Sequence, residues 1–81
     1  MTMDIAYYAG AADAAGTDYE HLDTPEITAA DLVSLLGSRH DGLSGVLSSC
    51  SLLVDGSPVK DPLTLIRGTA RVDVLPPFAG G

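Results

Sequence analysis

The sequence closes on Pro76-Pro77-Phe78-Ala79-Gly80-Gly81, and the chemistry it offers is concentrated there. With Gly81 as the end of the chain, its α-carboxylate is expected to be free, at the tip of a dipeptide with no side chains. Glycine has no Cβ, so Gly80 and Gly81 fit a channel in which any larger residue would clash. Pro76 and Pro77 fix φ and favour an extended exit from whatever precedes them. Phe78 and Ala79 add an apolar grip behind the tip. A stiff stalk, a grip and a thin reactive end suit a group that is inserted into another protein's active site. The candidate residues are therefore Gly81 and Gly80 for the chemistry, with Leu75, Pro76, Pro77, Phe78 and Ala79 for holding the partner.

Nothing else along the chain competes for a catalytic role. His21 and His40 are nineteen residues apart and have no metal-ligand spacing around them, so no metal site is expected. The stretch Gly10 to Gly16 lacks the spacing and the lysine of a phosphate-binding loop. The serines include no G-x-S-x-G elbow. Cys50 is the single cysteine, which leaves no internal disulfide, and beside an apolar strand it reads as a small packed hydrophobe. The chain is expected to have no active site of its own and to bind no cofactor.

Eighty-one residues form one small domain, and 46% hydrophobic content argues for a folded core. The net charge of −7 comes from eleven acids against four basic residues. Nucleic acid wants a basic face, so that balance disfavours it, no nucleic-acid partner is expected, and a partner with a basic docking surface is favoured. No apolar stretch is long enough to span a membrane, and the opening residues lack a basic, then apolar, export signal. The expected location is the cytoplasm.

The elements that must carry the terminus follow from periodicity. Met3 to Ala9 alternates, with Met3, Ile5 and Tyr7 on one face and Asp4, Ala6 and Tyr8 on the other, which predicts a strand. Gly10 to Gly16 predicts a single helical turn, and Tyr19 to Thr24 a second strand, antiparallel to the first, with Leu22 inward. Thr28 with Asp31 approximates a capping box, and Ala29, Leu32, Val33 and Leu36 form one helical face, with Gly37 expected as the stop. Leu43, Val46 and Leu47 allow a second short helix. Ser51 to Val54 predicts a strand ended by the turn Asp55-Gly56, and Pro58 an edge segment. Thr69 to Leu75 alternates again, with Ala70, Val72 and Val74 on one face and Leu75 on the other. The expected fold is α+β: a mixed sheet with one main helix packed on one face. Placing the first and last strands side by side and parallel gives the ubiquitin-like β-grasp, over residues 1–75, with 76–81 as an extended tail.

The tail, following Val72-Asp73-Val74-Leu75, resembles the MoaD/ThiS family of sulfur carriers, and within it the small subunits of molybdopterin synthase. Tyr7-Tyr8-Ala9, the short turn, Leu22-Asp23 and the helix from Thr28 extend the resemblance over nearly the whole chain. The sequence departs from the family pattern at Ala12-Asp13-Ala14, at Val54-Asp55 and at Arg67-Gly68-Thr69-Ala70. The resemblance implies that an E1-like adenylating enzyme activates the Gly81 carboxylate with MgATP, and that a sulfur donor system converts it to a thiocarboxylate. It implies that the large subunit of molybdopterin synthase receives the tail, so that sulfur reaches a pterin precursor of the molybdenum cofactor. The same chemistry serves carriers for thiamine or cysteine synthesis. A ubiquitin-like modifier joined to lysines through Gly81, or an interaction domain with an inert tail, are the other readings.

Overall fold

The structure, a computed structural model, describes residues 2–77. Strand β1 (Met3–Tyr7) buries Met3, Ile5 and Tyr7 on its inner face, as the alternation predicts. Ala6, on the outer face, is covered as well, because it stands in register between Tyr19 and Asp73. The chain turns at Ala9 (φ 49°) into helix α1 (Ala9–Ala15). This is about two turns at 3.6 residues each, rather than the single turn expected between the glycines. Its run of alanines favours helix strongly enough to absorb Gly10. Gly16 then ends it in the left-handed region (φ 75°), donating its N–H to the Ala12 carbonyl at 2.9 Å.

Strand β2 (Tyr19–Leu22) pairs antiparallel with β1 and stops two residues short of Thr24. It is one edge of the sheet, and its backbone is partly guarded. The Thr17 hydroxyl donates to the Tyr19 carbonyl at 2.9 Å and accepts from the Tyr19 N–H at 3.3 Å. Strand β3 (Ile27–Thr28) then pairs with β6 (Leu65–Ile66) as a separate two-stranded sheet. Two-residue strands carry no periodicity, so the sequence gives no warning of them.

Thr28 caps helix α2 (Ala29–Arg39): its Oγ1 accepts from the Asp31 N–H at 3.1 Å. Asp31 in the first turn and Arg39 in the last both suit the helix dipole. Ala29, Leu32 and Leu36 are buried on one face. Gly37 is not the stop; the helix continues to Arg39. A Cβ at Gly37 would stand 3.3 Å from the Ser44 Cβ, so this glycine lets α2 and α3 (Ser44–Leu47) approach closely. Leu43 and Leu47 fill the space beneath.

Strand β4 (Ser51–Val54) returns through Asp55 (φ 51°) and Gly56 (φ 86°) to β5 (Ser57–Pro58). Two positive φ values are the signature of a two-residue type I′ turn. Asp55, one of the departures from the family pattern, has a structural use. Its Oδ1 accepts from the Arg71 N–H at 3.0 Å, and its own N–H donates to the Arg71 carbonyl at 2.8 Å. Strand β7 (Arg71–Leu75) lies between β1, to which it is parallel, and β4, to which it is antiparallel. The five-stranded order is β2-β1-β7-β4-β5, with Pro58 in the edge strand as expected. With α2 on one face, this is the β-grasp arrangement. Met3, Ile5, Leu32, Leu36, Leu43, Ile66, Val72 and Val74 are fully buried between the two layers.

A polar cluster ties the end of α2 to β2. Glu20 points inward from β2 and accepts from the Tyr7 hydroxyl at 2.8 Å. His40 Nε2 lies 2.9 Å from the other carboxylate oxygen, and the Tyr7 and His40 rings meet edge to face at 6.0 Å. Arg39 adds a longer ion pair at 3.7 Å. Burial alone would raise the Glu20 pKa, but hydrogen bonds from Tyr7 and His40, and the charges of His40 and Arg39, outweigh it and hold the pKa below its usual 4.5. A carboxylate depressed in the folded state adds stability above its unfolded pKa, and loses it as pH falls through the folded value. Glu20→Gln is therefore expected to cost about 1–2 kcal/mol at neutral pH. The gap from wild type should close on acidification below pH 4.5. Urea titrations of both proteins across that range check it; a gap independent of pH would mean that the charge of Glu20 contributes nothing.

Candidate functional site

The segment to which the sequence assigns the chemistry follows β7, the central strand of the five-stranded sheet. Of the residues assigned to it from sequence, Phe78, Ala79, Gly80 and Gly81 lie outside the described residues, and the structure places Leu75, Pro76 and Pro77. Strand β7 ends at Leu75, opposite Ser51 of β4. The Tyr8 N–H donates to the Val74 carbonyl at 3.2 Å, so the β1–β7 seam holds up to the root of the tail. Leu75 faces outward, opposite in parity to Val72 and Val74, and is half-buried. Pro76 is buried and Pro77 is exposed.

The outer face of the sheet, away from α2, carries a polar network close to that root. The Tyr8 hydroxyl donates to Asp73 Oδ1 at 3.1 Å. Arg71 reaches the same Asp73 oxygen from Nη2 at 3.2 Å and the Tyr8 oxygen at 3.4 Å. Across β1, Asp4 holds His21 Nδ1 at 2.7 Å, and the His21 ring meets Tyr19 edge to face at 5.1 Å. Tyr8 and Tyr19 are exposed. Beside the network, Leu53 and Leu75 are half-buried on the same face. Arg39, Arg67 and Arg71 each face an acid, so little free positive charge offsets the acidic surface. The face can present hydroxyls, a fixed guanidinium and apolar patches to a protein surface.

On the other side of the root lies an open apolar recess of about 440 Å³. It is lined by Ala9 and Gly10 of α1, by Gly45, Val46 and Ser49 in and just after α3, and by Pro76 and Pro77. Sequence reasoning missed this recess and the Tyr8–Arg71–Asp73 network, because each joins residues far apart in the chain. One signal was available: Gly10 and Gly45 stand within helical segments, where glycine is costly without a reason.

Among the described residues, no group of three or more histidine, cysteine, aspartate or glutamate side chains is placed to hold a metal ion. No helix among them is long and apolar enough to cross a membrane.

Residues 5–81 match the model of the ThiS family. The chain belongs to the ThiS family. The resemblance read from the tail and the opening elements is thereby borne out. Solved structures agree on the fold. A molybdopterin converting factor subunit 1 from Pyrococcus furiosus superposes with a TM-score of 0.83 at 22% identity, over 95% of this chain and 98% of that one. SAMP1 from Haloferax volcanii gives 0.81 at 21% identity over the whole of both chains. A protein–protein complex of subunits 1 and 2 of molybdopterin-converting factor from Helicobacter pylori includes a match of 0.73 at 16% identity, again over both whole chains. Such identities establish the ubiquitin-like β-grasp fold.

In this ThiS-family chain the lone thiol, Cys50, directly precedes Ser51, which pairs with Leu75 at the tail's root. Burial raises the Cys50 pKa, and its Sγ donates to the Val46 carbonyl at 3.3 Å. A thiol held protonated and hydrogen-bonded is a poor nucleophile. If the chain carries sulfur as the resemblance implies, Cys50→Ala is expected to leave the transfer within about twofold of wild type in a reconstituted system, because the thiol takes no part in it. Loss of transfer from a folded Cys50→Ala protein would give the thiol a role.

Proposed function

We propose that this chain is a sulfur carrier of the molybdopterin-synthase small-subunit type, with Gly81 as the carrier. The observation that supports this most is the family match running through residue 81, so that it includes Gly80-Gly81, which follow the last strand, ending at Leu75, after four intervening residues. A carboxylate is a poor electrophile, because its carbonyl is resonance-stabilised and negatively charged. Attack of the Gly81 carboxylate on ATP, in an E1-like partner, releases pyrophosphate and leaves an acyl adenylate. A sulfur donor then displaces AMP, and the product is a C-terminal thiocarboxylate. Carriage on a covalent intermediate divides one hard transfer into easier steps. The receiving enzyme is a molybdopterin synthase large subunit, whose pocket takes the tail and supplies the catalytic groups. The Helicobacter pylori complex of subunits 1 and 2 supports that pairing. The acidic balance of the chain favours a basic docking surface on the partner.

Mass spectrometry of the protein purified from its own host tests the carrier chemistry. The expected result is a population heavier by the exchange of one oxygen for sulfur, lost on alkylation or hydrolysis of the terminus. Only the unmodified carboxylate, under conditions that demand molybdenum cofactor, would count against it. The likeness to SAMP1 over both whole chains favours a second reading, a protein modifier joined through Gly81. A ladder of lysine-linked conjugates in host extract would support that reading over the carrier.

A further inference from the structure

We propose that the recess at the root of the tail receives an apolar side chain from the protein that takes the tail. The inference rests on the carrier reading and adds a second contact to it. Four residues, 78–81, follow Pro77, and fully extended they span no more than about 14 Å. A partner that closes around Gly80 and Gly81 must bring the mouth of its pocket close to Pro77. Pro77 is itself part of the recess, so whatever borders that mouth falls on it.

The lining sets the chemistry of the occupant. Among the described residues it contains no charged side chain, and Ser49 supplies its only side-chain hydroxyl. Val46, the Ala9 methyl and two proline rings make the lining apolar. The volume of about 440 Å³ admits a side chain as large as leucine, methionine or phenylalanine. A buried ammonium or carboxylate would find no partner there and would lose its hydration.

The glycines show that the opening is not required by the fold. Gly10 and Gly45 both have ordinary φ, and a Cβ built at either meets no heavy atom within 4 Å. Alanine would suit either helix at least as well. Neither conformation nor internal packing calls for glycine at these positions, and both line the recess. Ala9 points the same way. It holds φ 49°, a region alanine enters at a cost of order 1–2 kcal/mol, and such strain gathers at functional sites.

The test uses the full chain and the recombinant molybdopterin synthase large subunit of the same organism. In wild type, the Val46 methyl resonances should shift or broaden when the large subunit is added. Gly45→Leu, which adds bulk at a lining residue whose Cβ would meet no heavy atom within 4 Å, should keep the melting temperature and weaken binding by roughly tenfold or more, as blocked central contacts do. Gly45→Ala should fall between the two. Wild-type binding with unmoved Val46 methyls, and Gly45→Leu bound as tightly, would overturn the recess contact while leaving the carrier reading in place. Absence of wild-type binding would overturn both. A Val46 shift caused in the free protein by Phe78→Ala would make the chain's own Phe78 the occupant, and a shift that depends on protein concentration would make it a second copy. Either result overturns the proposal.

Discussion

Adding one residue after Gly81, or deleting Gly81, is expected to abolish sulfur donation while leaving the protein folded. An added residue carries the reactive carbon forward by about 3.3–3.6 Å, and deletion retracts it by the same distance. On the carrier reading proposed above, the carbon has to meet two reaction centres, the adenylating one and the sulfur-accepting one. A misplacement of even ~1 Å can cost ~10²-fold in rate where attack geometry matters. Gly80→Val leaves the length alone but puts a branched side chain into a channel suited to glycine. All three changes lie beyond Leu75, the last residue of β7, so stability should stay within about ±0.5 kcal/mol. The measurement is single-turnover conversion of the pterin precursor by each chemically prepared thiocarboxylate with the large subunit. An extended variant that transfers sulfur at the wild-type rate would remove Gly81 as the carrier.

That prediction depends on a feature that is contiguous in the chain, and contiguity decides how much a sequence discloses. The tail needs six adjacent residues, so its use could be proposed before any fold was known. The same holds for Met3 to Tyr7 and Arg71 to Leu75, whose alternation gives both their strands and their buried faces. Thr28 with Asp31, and Asp55 with Gly56, are local too, and each appears where its pattern predicts. The misread positions depend on distant neighbours. Gly37 looks like a helix stop until Ser44 is seen packed on it. Gly10 looks like a boundary until the neighbouring alanines carry the helix across it. The small β3–β6 sheet is only two residues deep, too short for a period. The recess is assembled from three separate parts of the chain, near residues 9, 45 and 76, and only the fold brings them together. Site residues that act through a shared surface are hidden in this way, whereas a reactive end is not.

Gly68 provides the second large effect, and here the fold itself is at stake. It lies in the connection Arg67-Gly68-Thr69-Ala70, where the sequence leaves the family pattern, and it is buried. Its φ is not positive, so the glycine is not there for a left-handed turn. The reason is close approach: a Cβ at Gly68 would run into the Thr24 carbonyl oxygen, and would also stand 3.4 Å from the Pro25 carbonyl carbon. Both are backbone atoms, which cannot rotate aside as a flexible side chain could. Relief would require one of two connected segments to move. The residues following Gly68 lead straight into Ala70, whose carbonyl accepts from the Asp4 N–H at 3.1 Å, and then into β7. A displacement there would disturb the pairing of the two central strands and the strand that carries the tail. Gly68→Ala is therefore expected to destabilise by about 2–4 kcal/mol, in the upper range for single substitutions. Gly10→Ala is the matched control, since its Cβ meets nothing within 4 Å, and it should be neutral or slightly stabilising. Urea denaturation of the two variants beside wild type gives the comparison. A Gly68→Ala midpoint within error of wild type would mean that the Thr24–Pro25 segment yields freely, and that the close approach does not hold the two connections in place.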